Sequence, residues 1–472
     1  MHAPTQIDNV WIYDGSGSEP YHGSVFIADG RIAEDGHFEE RIDGQGLALA
    51  PGFIDVHTHD DLFVLREPSV LPKLSQGVTT VIVGNCGISA APVTDRRLPD
   101  PMNLLGAPEE FRFGTFAEYV QAVEETKPAI NVAALVGHTT LRSNHLDRLD
   151  RTATPDEVAA MRAQLQEGLD HGALGLSTGL AYLSAFSAET EEVLGLAEPL
   201  AKAGAIYTTH MRSETAEILD AMSEAFRIGG QTPCPVVISH LKCAGIDNWG
   251  RSGEVLKLLD EARAMQPIGC DCYPYSAGSS TLDLRQVDPR VKIVITWSEP
   301  HPEMAGKTLA EIAVMWNVEQ VEGARRLMPA GAIYHSISEH DMHQILRHPA
   351  TMIGSDGLPS DPRPHPRLWG TFPRVLGHYA RDRKFFSLAT AIHKMTGLPA
   401  ARFNLKGLGT IQRGAQSDLV LFDPDIIADT AWYDDPKRPA NGIKAVWVNG
   451  ELAYTEDGPT GKRAGRFIKR NT

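Results

Sequence analysis

The chain has 472 residues, 42% of them hydrophobic, and carries a formal net charge of −16. This length allows two or three domains, or one barrel with attached segments, since a domain usually holds about 100–200 residues. The acidic charge argues against nucleic acid or an anionic membrane as the main partner, because both select basic patches. An anionic small molecule remains compatible, since a few local Lys or Arg side chains can dominate inside a pocket.

The cysteine count and the chain start point to a cellular compartment. Five cysteines are few and odd in number for this length, which favours a reducing environment over a disulfide framework. The first residues, MHAPTQIDNVWIYDGSG, lack the basic and apolar regions of a signal peptide, and no apolar run approaches the ~18 residues of a membrane span. We therefore expect a soluble, cytoplasmic protein without a membrane partner; its oligomeric state is left open, a monomer included.

The two ends of the chain resemble each other in pattern. Over the first fifty residues short apolar runs alternate with turn signals, and Asp-Gly recurs at 14–15, 29–30 and 43–44. This dipeptide favours tight hairpin turns. The segments SDLVLFDP and GIKAVWVNGELAY continue the pattern near the C-terminus. We predict a small β-sandwich domain built from both ends, covering residues 1–51 and 408–472.

The middle of the chain alternates strand-like and helical segments. Apolar runs such as VTTVIVGN and CPVVISHLK are followed by helical patterns such as TPDEVAAMRAQLQEGLDHG, in which Thr154 is placed to cap the helix. So many β/α units in succession predict parallel strands closed into a (β/α)8 TIM-like barrel, an α/β fold, over residues 52–407. Residues around 281–345 interrupt the rhythm and are predicted to be an insertion.

Several of the predicted barrel strands end in a potential metal ligand, and five strand ends share this property. The ligands are His57, His59, Cys86, His210, His240 and Asp356. Parallel barrel strands open at their carboxyl ends on one face, so residues far apart in sequence converge there. Each residue alone has an ordinary structural explanation, such as a hydrogen-bonded histidine or a buried thiol. Together they favour a metal site, and the mixture of imidazole, thiolate and carboxylate suits zinc better than a hard ion such as Mg²⁺.

These motifs also resemble a known family. APGFIDVHTHDD is similar to the first-strand signature of the amidohydrolase superfamily. GNCGIS, STGLAY, THMRSE, VISHLKC, DCYPY and IGSDGLPSDPRPHPRLWG together resemble the D-aminoacylase (N-acyl-D-amino-acid deacylase) family, and the similarity extends to the closing RGAQSDLVLFDP. The resemblance implies a distorted barrel, a small β domain from both termini and a late insertion.

The resemblance also implies how the metal is held. One zinc would be tightly bound, and its ligands would be Cys86, His210 and His240. A second, weak or partly filled position would be defined by His57, His59 and Asp356. Many amidohydrolases bridge two metals with a carboxylated lysine, whereas the corresponding segment here, GALGLSTG, holds Ser177. A zinc-bound thiolate is deprotonated and would supply the negative charge instead; the alternative is that this cysteine only packs in the core.

Catalytic and substrate-binding roles follow from the same resemblance. Asp356 would act as general base and then general acid while a metal-activated hydroxide attacks the amide carbonyl. Tyr182 would polarise that carbonyl, unless it merely packs on its loop. The α-carboxylate of the substrate needs cationic or phenolic partners. The matching residues are Lys242, Tyr273, Arg367 and Ser279.

The substrate implied is an N-acyl-D-amino acid, released as a free D-amino acid and a carboxylate. Arg285 is a candidate partner for an acidic side chain, which slightly favours N-acyl-D-glutamate. Two alternatives stay open. A cyclic-amide hydrolase of the dihydropyrimidinase or hydantoinase kind would typically carry the bridging lysine. A non-catalytic zinc-binding barrel would need neither Asp356 nor a carboxylate-binding set. The pair Cys270 and Cys272 is not expected to bind metal, since neither matches a family ligand.

Overall fold

The computed structural model of the protein describes residues 4–34, 38–94 and 98–470. Its strands fall into four sheets. In chain order they are β1 (Thr5–Ile12), β2 (Tyr21–Ala28), β3 (Arg31–Ala33), β4 (Glu40–Asp43), β5 (Ala48–Pro51), β6 (Phe53–Asp55), β7 (Val78–Val83), β8 (Asn131–Ala134), β9 (Val136–Gly137), β10 (Gly175–Gly179), β11 (Ile206–His210), β12 (Val236–Ile238), β13 (Ile268–Cys272), β14 (Gly278–Thr281), β15 (Ile293–Ser298), β16 (Ala330–Tyr334), β17 (Thr351–Ile353), β18 (Leu419–Phe422), β19 (Ile443–Val448), β20 (Glu451–Thr455) and β21 (Gly458–Pro459).

Helices are interspersed with the strands between β6 and β18. They are α1 (Phe63–Arg66), α2 (Leu71–Leu74), α3 (Phe116–Thr126), α4 (His138–His145), α5 (Pro155–Asp170), α6 (Leu183–Phe186), α7 (Thr190–Ala197), α8 (Pro199–Ala203), α9 (Ile218–Gln231), α10 (Ser252–Arg263), α11 (Leu309–Trp316), α12 (Gln320–Leu327), α13 (Glu339–Arg347), α14 (Arg367–Arg374), α15 (Leu388–Met395) and α16 (Gly397–Arg402). Within the described ranges, no helix is long and apolar enough to cross a bilayer.

Parallel strands form the barrel. One sheet has the order β6-β7-β8 and another the order β9-β10-β11-β12-β13-β17, and all of their pairings are parallel. β8 and β9 are separated by one residue and together occupy a single strand position, between β7 and β10. Counted in this way, the described residues form a barrel of eight strands. At the seam between β6 and β17 the connection is an isolated bridge between Thr58 and Gly357. The predicted (β/α)8 barrel is confirmed, and β7 (VTTVIV), buried along its whole length, illustrates its β-branched interior.

A nine-stranded sheet takes strands from both ends of the chain. Its order is β21-β20-β19-β18-β5-β1-β2-β3, with β4 also paired to β1. Buried positions recur along β1 at Ile7, Val10 and Ile12, which pack into a separate apolar cluster. The division into residues 1–51 with 408–472 and a barrel of residues 52–407 stays a prediction.

The Asp-Gly prediction succeeds at one of its three positions. Asp29-Gly30 joins the antiparallel strands β2 and β3, and both residues have positive φ, as a tight hairpin requires. Asp43-Gly44 is not a hairpin, because β4 and β5 both pair parallel to β1. Asp14-Gly15 lies within an eight-residue connection between β1 and β2, in which the Asp14 carboxylate accepts a hydrogen bond from the Ser16 backbone N–H. At Asp43-Gly44 the pairing of both flanking strands with β1 therefore determines the turn, and not the local preference of the dipeptide.

A small antiparallel sheet lies between barrel strands β13 and β17. Its order is β14-β16-β15, and α11 and α12 pack on it around a cluster of its own. This is the segment in which the sequence predicts an insertion. β14 carries Ser279 and Ser280 to the mouth of the barrel, where both line a cavity.

Candidate metal centre and active site

The six predicted ligands converge at the carboxyl ends of the barrel strands. They form two groups that share Cys86, and within each group the ligand atoms lie within 4.8 Å of one another. The first group is His57, His59, Cys86 and Asp356; the second is Cys86, His210 and His240.

The separations between donor atoms suit metal coordination. Cys86 Sγ lies 3.2 Å from His57 Nε2 and 3.4 Å from His240 Nε2, and His240 Nε2 lies 3.0 Å from His210 Nδ1. Asp356 Oδ1 lies 3.2 Å from His59 Nε2. Zinc–ligand bonds of about 2.0–2.3 Å in a tetrahedron place the donors about 3.4 Å apart, close to these values. The donor set and its spacing therefore fit zinc.

The backbone holds several of these ligands in unusual conformations. Cys86, His240 and Asp356 have φ values of 54°, 36° and 50°, in the left-handed region that side-chain-bearing residues seldom adopt. Such strain is found at functional sites, where surrounding structure compels it. Asp356 is fixed by its own backbone N–H, which donates to His57 O at 2.7 Å.

The turn that carries Cys86 packs closely against the backbone of the following barrel strands. A side chain at Gly84 would place its Cβ 2.2 Å from Leu135 O, and one at Gly87 would meet Gly179 N at 2.6 Å. Ser177, on β10, accepts a hydrogen bond from Gly87 N–H at 3.0 Å and donates to Gly84 O. It therefore supports the Cys86 turn from β10, which lies beyond β8 and β9 in the barrel.

Two carboxylates behind the ligands were missed from the sequence. Asp271 accepts a hydrogen bond from the His240 backbone N–H at 2.9 Å and lies 3.3 Å from His57 Nδ1. Glu214 lies 2.8 Å from His240 Nδ1 and 2.6 Å from Lys242 Nζ. Carboxylates in this position orient metal-binding imidazoles and select the ring nitrogen that faces the metal. For Asp271, the sequence does contain a signal: an acidic residue lies inside the apolar strand IGCDC, between Cys270 and Cys272.

The protein environment favours anionic forms of the acidic ligands. Burial raises the pKa of Cys86, but the charges of His57 and His240 outweigh it and bring that pKa well below its ordinary value. Burial likewise raises the pKa of Asp356, and the charges of Arg367 and His57 lower it well below the usual range. Both groups are thus prepared to bind a cation.

A cavity of about 480 Å³ opens above the metal ligands. All the predicted substrate-binding and catalytic side chains line it: Tyr182, Lys242, Tyr273, Ser279, Arg285, Asp356 and Arg367. Arg367 Nη2 lies 3.0 Å from both Asp356 Oδ2 and Ser279 O. Its Nε and Nη1, with Tyr273 OH and Ser279 Oγ, are buried and have no hydrogen-bond partner among the described residues. These atoms can receive a substrate carboxylate.

Arg285, the candidate partner for an acidic substrate side chain, is already paired within the protein. Its side chain is 44% exposed, and its Nη2 lies 2.6 Å from Asp283 Oδ2. The same Nη2 also donates to Ala181 O at 2.9 Å, and the guanidinium stacks 5.5 Å from the Phe186 ring centroid. Cys270, by contrast, lies away from the metal ligands, with its Sγ 3.3 Å from Thr351 Oγ1.

Comparison with known proteins gives consistent matches over the whole chain. The Amidohydrolase family profile matches residues 40–281 and 304–454. A D-aminoacylase of Alcaligenes xylosoxydans xylosoxydans is 48% identical over 464 residues, covering 97% of this chain and 96% of the relative, and an N-acyl-D-aspartate deacylase of the same organism is 46% identical, covering 99% and 96%. The solved N-acyl-D-glutamate deacylase from Bordetella bronchiseptica, complexed with zinc and a phosphonate inhibitor, superposes with a TM-score of 0.95 at 42% identity, covering 99% of this chain and 100% of that one.

Proposed function

Since the chain belongs to the D-aminoacylase family of metal-dependent amidohydrolases, we propose that it hydrolyses N-acyl-D-amino acids to a free D-amino acid and a carboxylate. One observation carries the proposal: the metal ligands open into the same cavity as the buried, unpartnered N–H groups of Arg367. A substrate whose α-carboxylate binds Arg367 would present its amide near Asp356, to which that arginine is bound. Selectivity for the D-form is inferred from the family.

The metal site is proposed to hold one zinc tightly and a second weakly. The group Cys86, His210 and His240 offers three donors that face one another, and supports the tight position. The other position depends on Asp356, whose second oxygen is engaged by Arg367 at 3.0 Å, which weakens it as a ligand. Bound zinc supplies a Lewis acid for the carbonyl and lowers the pKa of a coordinated water toward about 7.

Asp356 and Tyr182 are assigned the proton transfer and the carbonyl contact. The low pKa of Asp356 keeps it as a carboxylate, so it can accept the proton of the attacking water and then deliver it to the leaving nitrogen. Burial, followed by the negative charge of Cys86, raises the pKa of Tyr182 well above its ordinary value. Its hydroxyl therefore stays protonated and can donate a hydrogen bond to the carbonyl oxygen.

The α-carboxylate is assigned to Arg367, Tyr273, Lys242 and Ser279. Arg367 stacks with its guanidinium carbon 4.5 Å from the Tyr273 ring centroid, so the two side chains orient each other. Burial lowers the pKa of Lys242, but the charge of Glu214 more than offsets it, and the ammonium stays charged. Two fixed cations beside hydrogen-bond donors form a site for a planar carboxylate.

A small preference for N-acyl-D-glutamate is the finer proposal, and it depends on Arg285. The carboxylate of a glutamate side chain would have to share this guanidinium with Asp283, which already binds it. We therefore expect only a modest advantage of acidic over apolar side chains. Arg285→Ala should lower the ratio of kcat/KM for N-acetyl-D-glutamate to that for N-acetyl-D-leucine, and Asp283→Asn should raise it. An unchanged ratio in both variants would remove Arg285 from the specificity site.

An Asp356→Asn variant tests the proposal against the two alternatives. We expect it to keep the tightly bound zinc and to lose release of amine from N-acetyl-D-amino acids. A non-catalytic zinc-binding barrel would show no turnover in the wild type either. A cyclic-amide hydrolase would cleave hydantoins or dihydropyrimidines in preference to linear amides. The family resemblance matches the segment with Ser177 to the one in which such enzymes typically hold a bridging lysine. Wild-type turnover of cyclic amides alone would overturn the proposal.

A further inference from the structure

A fully buried lysine lies beneath the metal ligands and has no part in the chemistry described so far. Lys73, on the short helix α2, places its Nζ 2.8 Å from Asp55 Oδ2, 2.7 Å from Ser355 Oγ and 3.3 Å from Asp60 Oδ2. The side chains of Lys73, Asp55 and Asp60 are 0% exposed. Burial alone would lower the pKa of Lys73, but the charges of the two aspartates outweigh it and raise that pKa. Burying a cluster of charges costs desolvation free energy, so the position of this cluster in the fold is a guide to its role.

The cluster sits at the seam where the barrel closes. Asp55 ends β6, two residues before the ligand His57, and Ser355 directly precedes the ligand Asp356. Asp55 Oδ1 accepts a hydrogen bond from Ser355 N–H at 2.8 Å. Between these two strands the backbone forms only an isolated bridge among the described residues, whereas the other neighbouring barrel strands are mostly joined by continuous ladders of hydrogen bonds. Two backbone hydrogen bonds cross here, from Asp356 N–H to His57 O and from His59 N–H to Gly357 O. Side-chain contacts centred on Lys73 reinforce this short connection between the first and last barrel strands.

We propose that Lys73 is a positioning residue that holds the His57 and His59 pair against Asp356 across this seam. Its partners adjoin the ligands of the weaker metal position on both strands. Those partners lie outside the group of Cys86, His210 and His240. Loss of Lys73 should therefore loosen one metal position selectively. The expected change in catalysis rests on the proposed function, whereas the change in metal binding does not.

The test compares Lys73→Met with Lys394→Met. Lys394 is equally buried, but its Nζ donates to the backbone carbonyls of His348 and Thr351, at the start of β17 and away from the ligands. Zinc titration of the apoprotein, kcat and KM for N-acetyl-D-amino acids and the melting temperature are measured for each. We expect Lys73→Met to weaken the second zinc position and to lower kcat by about 10- to 100-fold, with the tight position and KM little changed. Lys394→Met should lower only the melting temperature.

Ser355→Ala keeps the test decisive if Lys73→Met does not fold. It removes one partner of the ammonium without leaving buried carboxylates unpaired, and should move zinc binding and kcat in the same direction by a smaller factor. If the folded Lys73 or Ser355 variant changes melting temperature alone, with both zinc affinities and kcat as in the wild type, Lys73 has only a structural role and the inference is wrong. If the wild type lacks deacylase activity, the zinc titration still decides the positioning role, and the failure belongs to the proposed function.

Discussion

Replacing Arg367 with methionine removes the guanidinium that we assign to the substrate carboxylate. Nη2 is bound to Asp356 and to Ser279 O, whereas the buried Nε and Nη1 have no partner among the residues that the structure describes. A hydrogen bond to a charged group contributes about 1.5–3 kcal/mol. Since about 1.36 kcal/mol corresponds to a tenfold rate change, loss of one such bond predicts about a 10- to 100-fold lower kcat/KM.

The assay must separate carboxylate binding from other effects of the substitution, because Arg367 also lowers the pKa of Asp356. We would compare kcat/KM for N-acetyl-D-leucine and its carboxamide, which lacks the negative charge. The wild type should favour the acid, and Arg367→Met should reduce this preference by the predicted factor. Arg374→Met is the matched control: it lies on the same helix, α14, but its guanidinium binds Asp429 and Pro274 O. An acid-to-carboxamide ratio that stays at the wild-type value in Arg367→Met would refute the assignment.

Three further predictions concern the metal ligands and the barrel. Cys86→Ser should abolish tight zinc binding, measured as metal content after dialysis, because a neutral hydroxyl is a poor zinc ligand; a full equivalent of zinc would contradict this. Asp271→Asn should weaken zinc affinity by about 10- to 100-fold in a chelator competition while the circular dichroism spectrum is unchanged, and wild-type affinity would exclude an orienting role. Burial raises the pKa of Glu192, but its bonds to His138 and Arg142 lower it from 4.5 to about 2. Its stabilising contribution is therefore present above pH 4.5 and lost as pH falls toward 2, so Glu192→Gln should lower the melting temperature more at pH 6 than at pH 3; equal losses would exclude this linkage.

The convergence of the candidate metal ligands could be predicted from the sequence because each residue follows or ends an apolar strand. The open face of a parallel barrel brings such positions together whatever their separation in the chain. His57 and Asp356 are almost three hundred residues apart, yet Asp356 N–H donates to His57 O at 2.7 Å. The barrel itself was predictable for the same reason, since strand and helix patterns alternate along most of the chain.

The supporting charges could not be predicted, because their partners are set by tertiary contacts. Nothing in VLPKLSQG distinguishes Lys73, because only the seam between the first and last strands gives it two carboxylates. Arg285 is a candidate partner for an acidic substrate side chain, but Asp283, two residues away, already binds it. Asp43-Gly44 reads as a hairpin, and the shared parallel partner β1 excludes that. In each case the local sequence does not show which group the side chain or turn contacts in the folded chain.

The most direct test of the proposed activity is a comparison of enantiomers. Zinc-loaded protein would be given the N-acetyl-D and N-acetyl-L forms of glutamate, aspartate, leucine and methionine, and the free amine would be quantified. We expect release of amine from the D-forms, with the L-forms at background. No turnover of any D-form by protein shown to contain zinc, or equal turnover of both enantiomers, would contradict it.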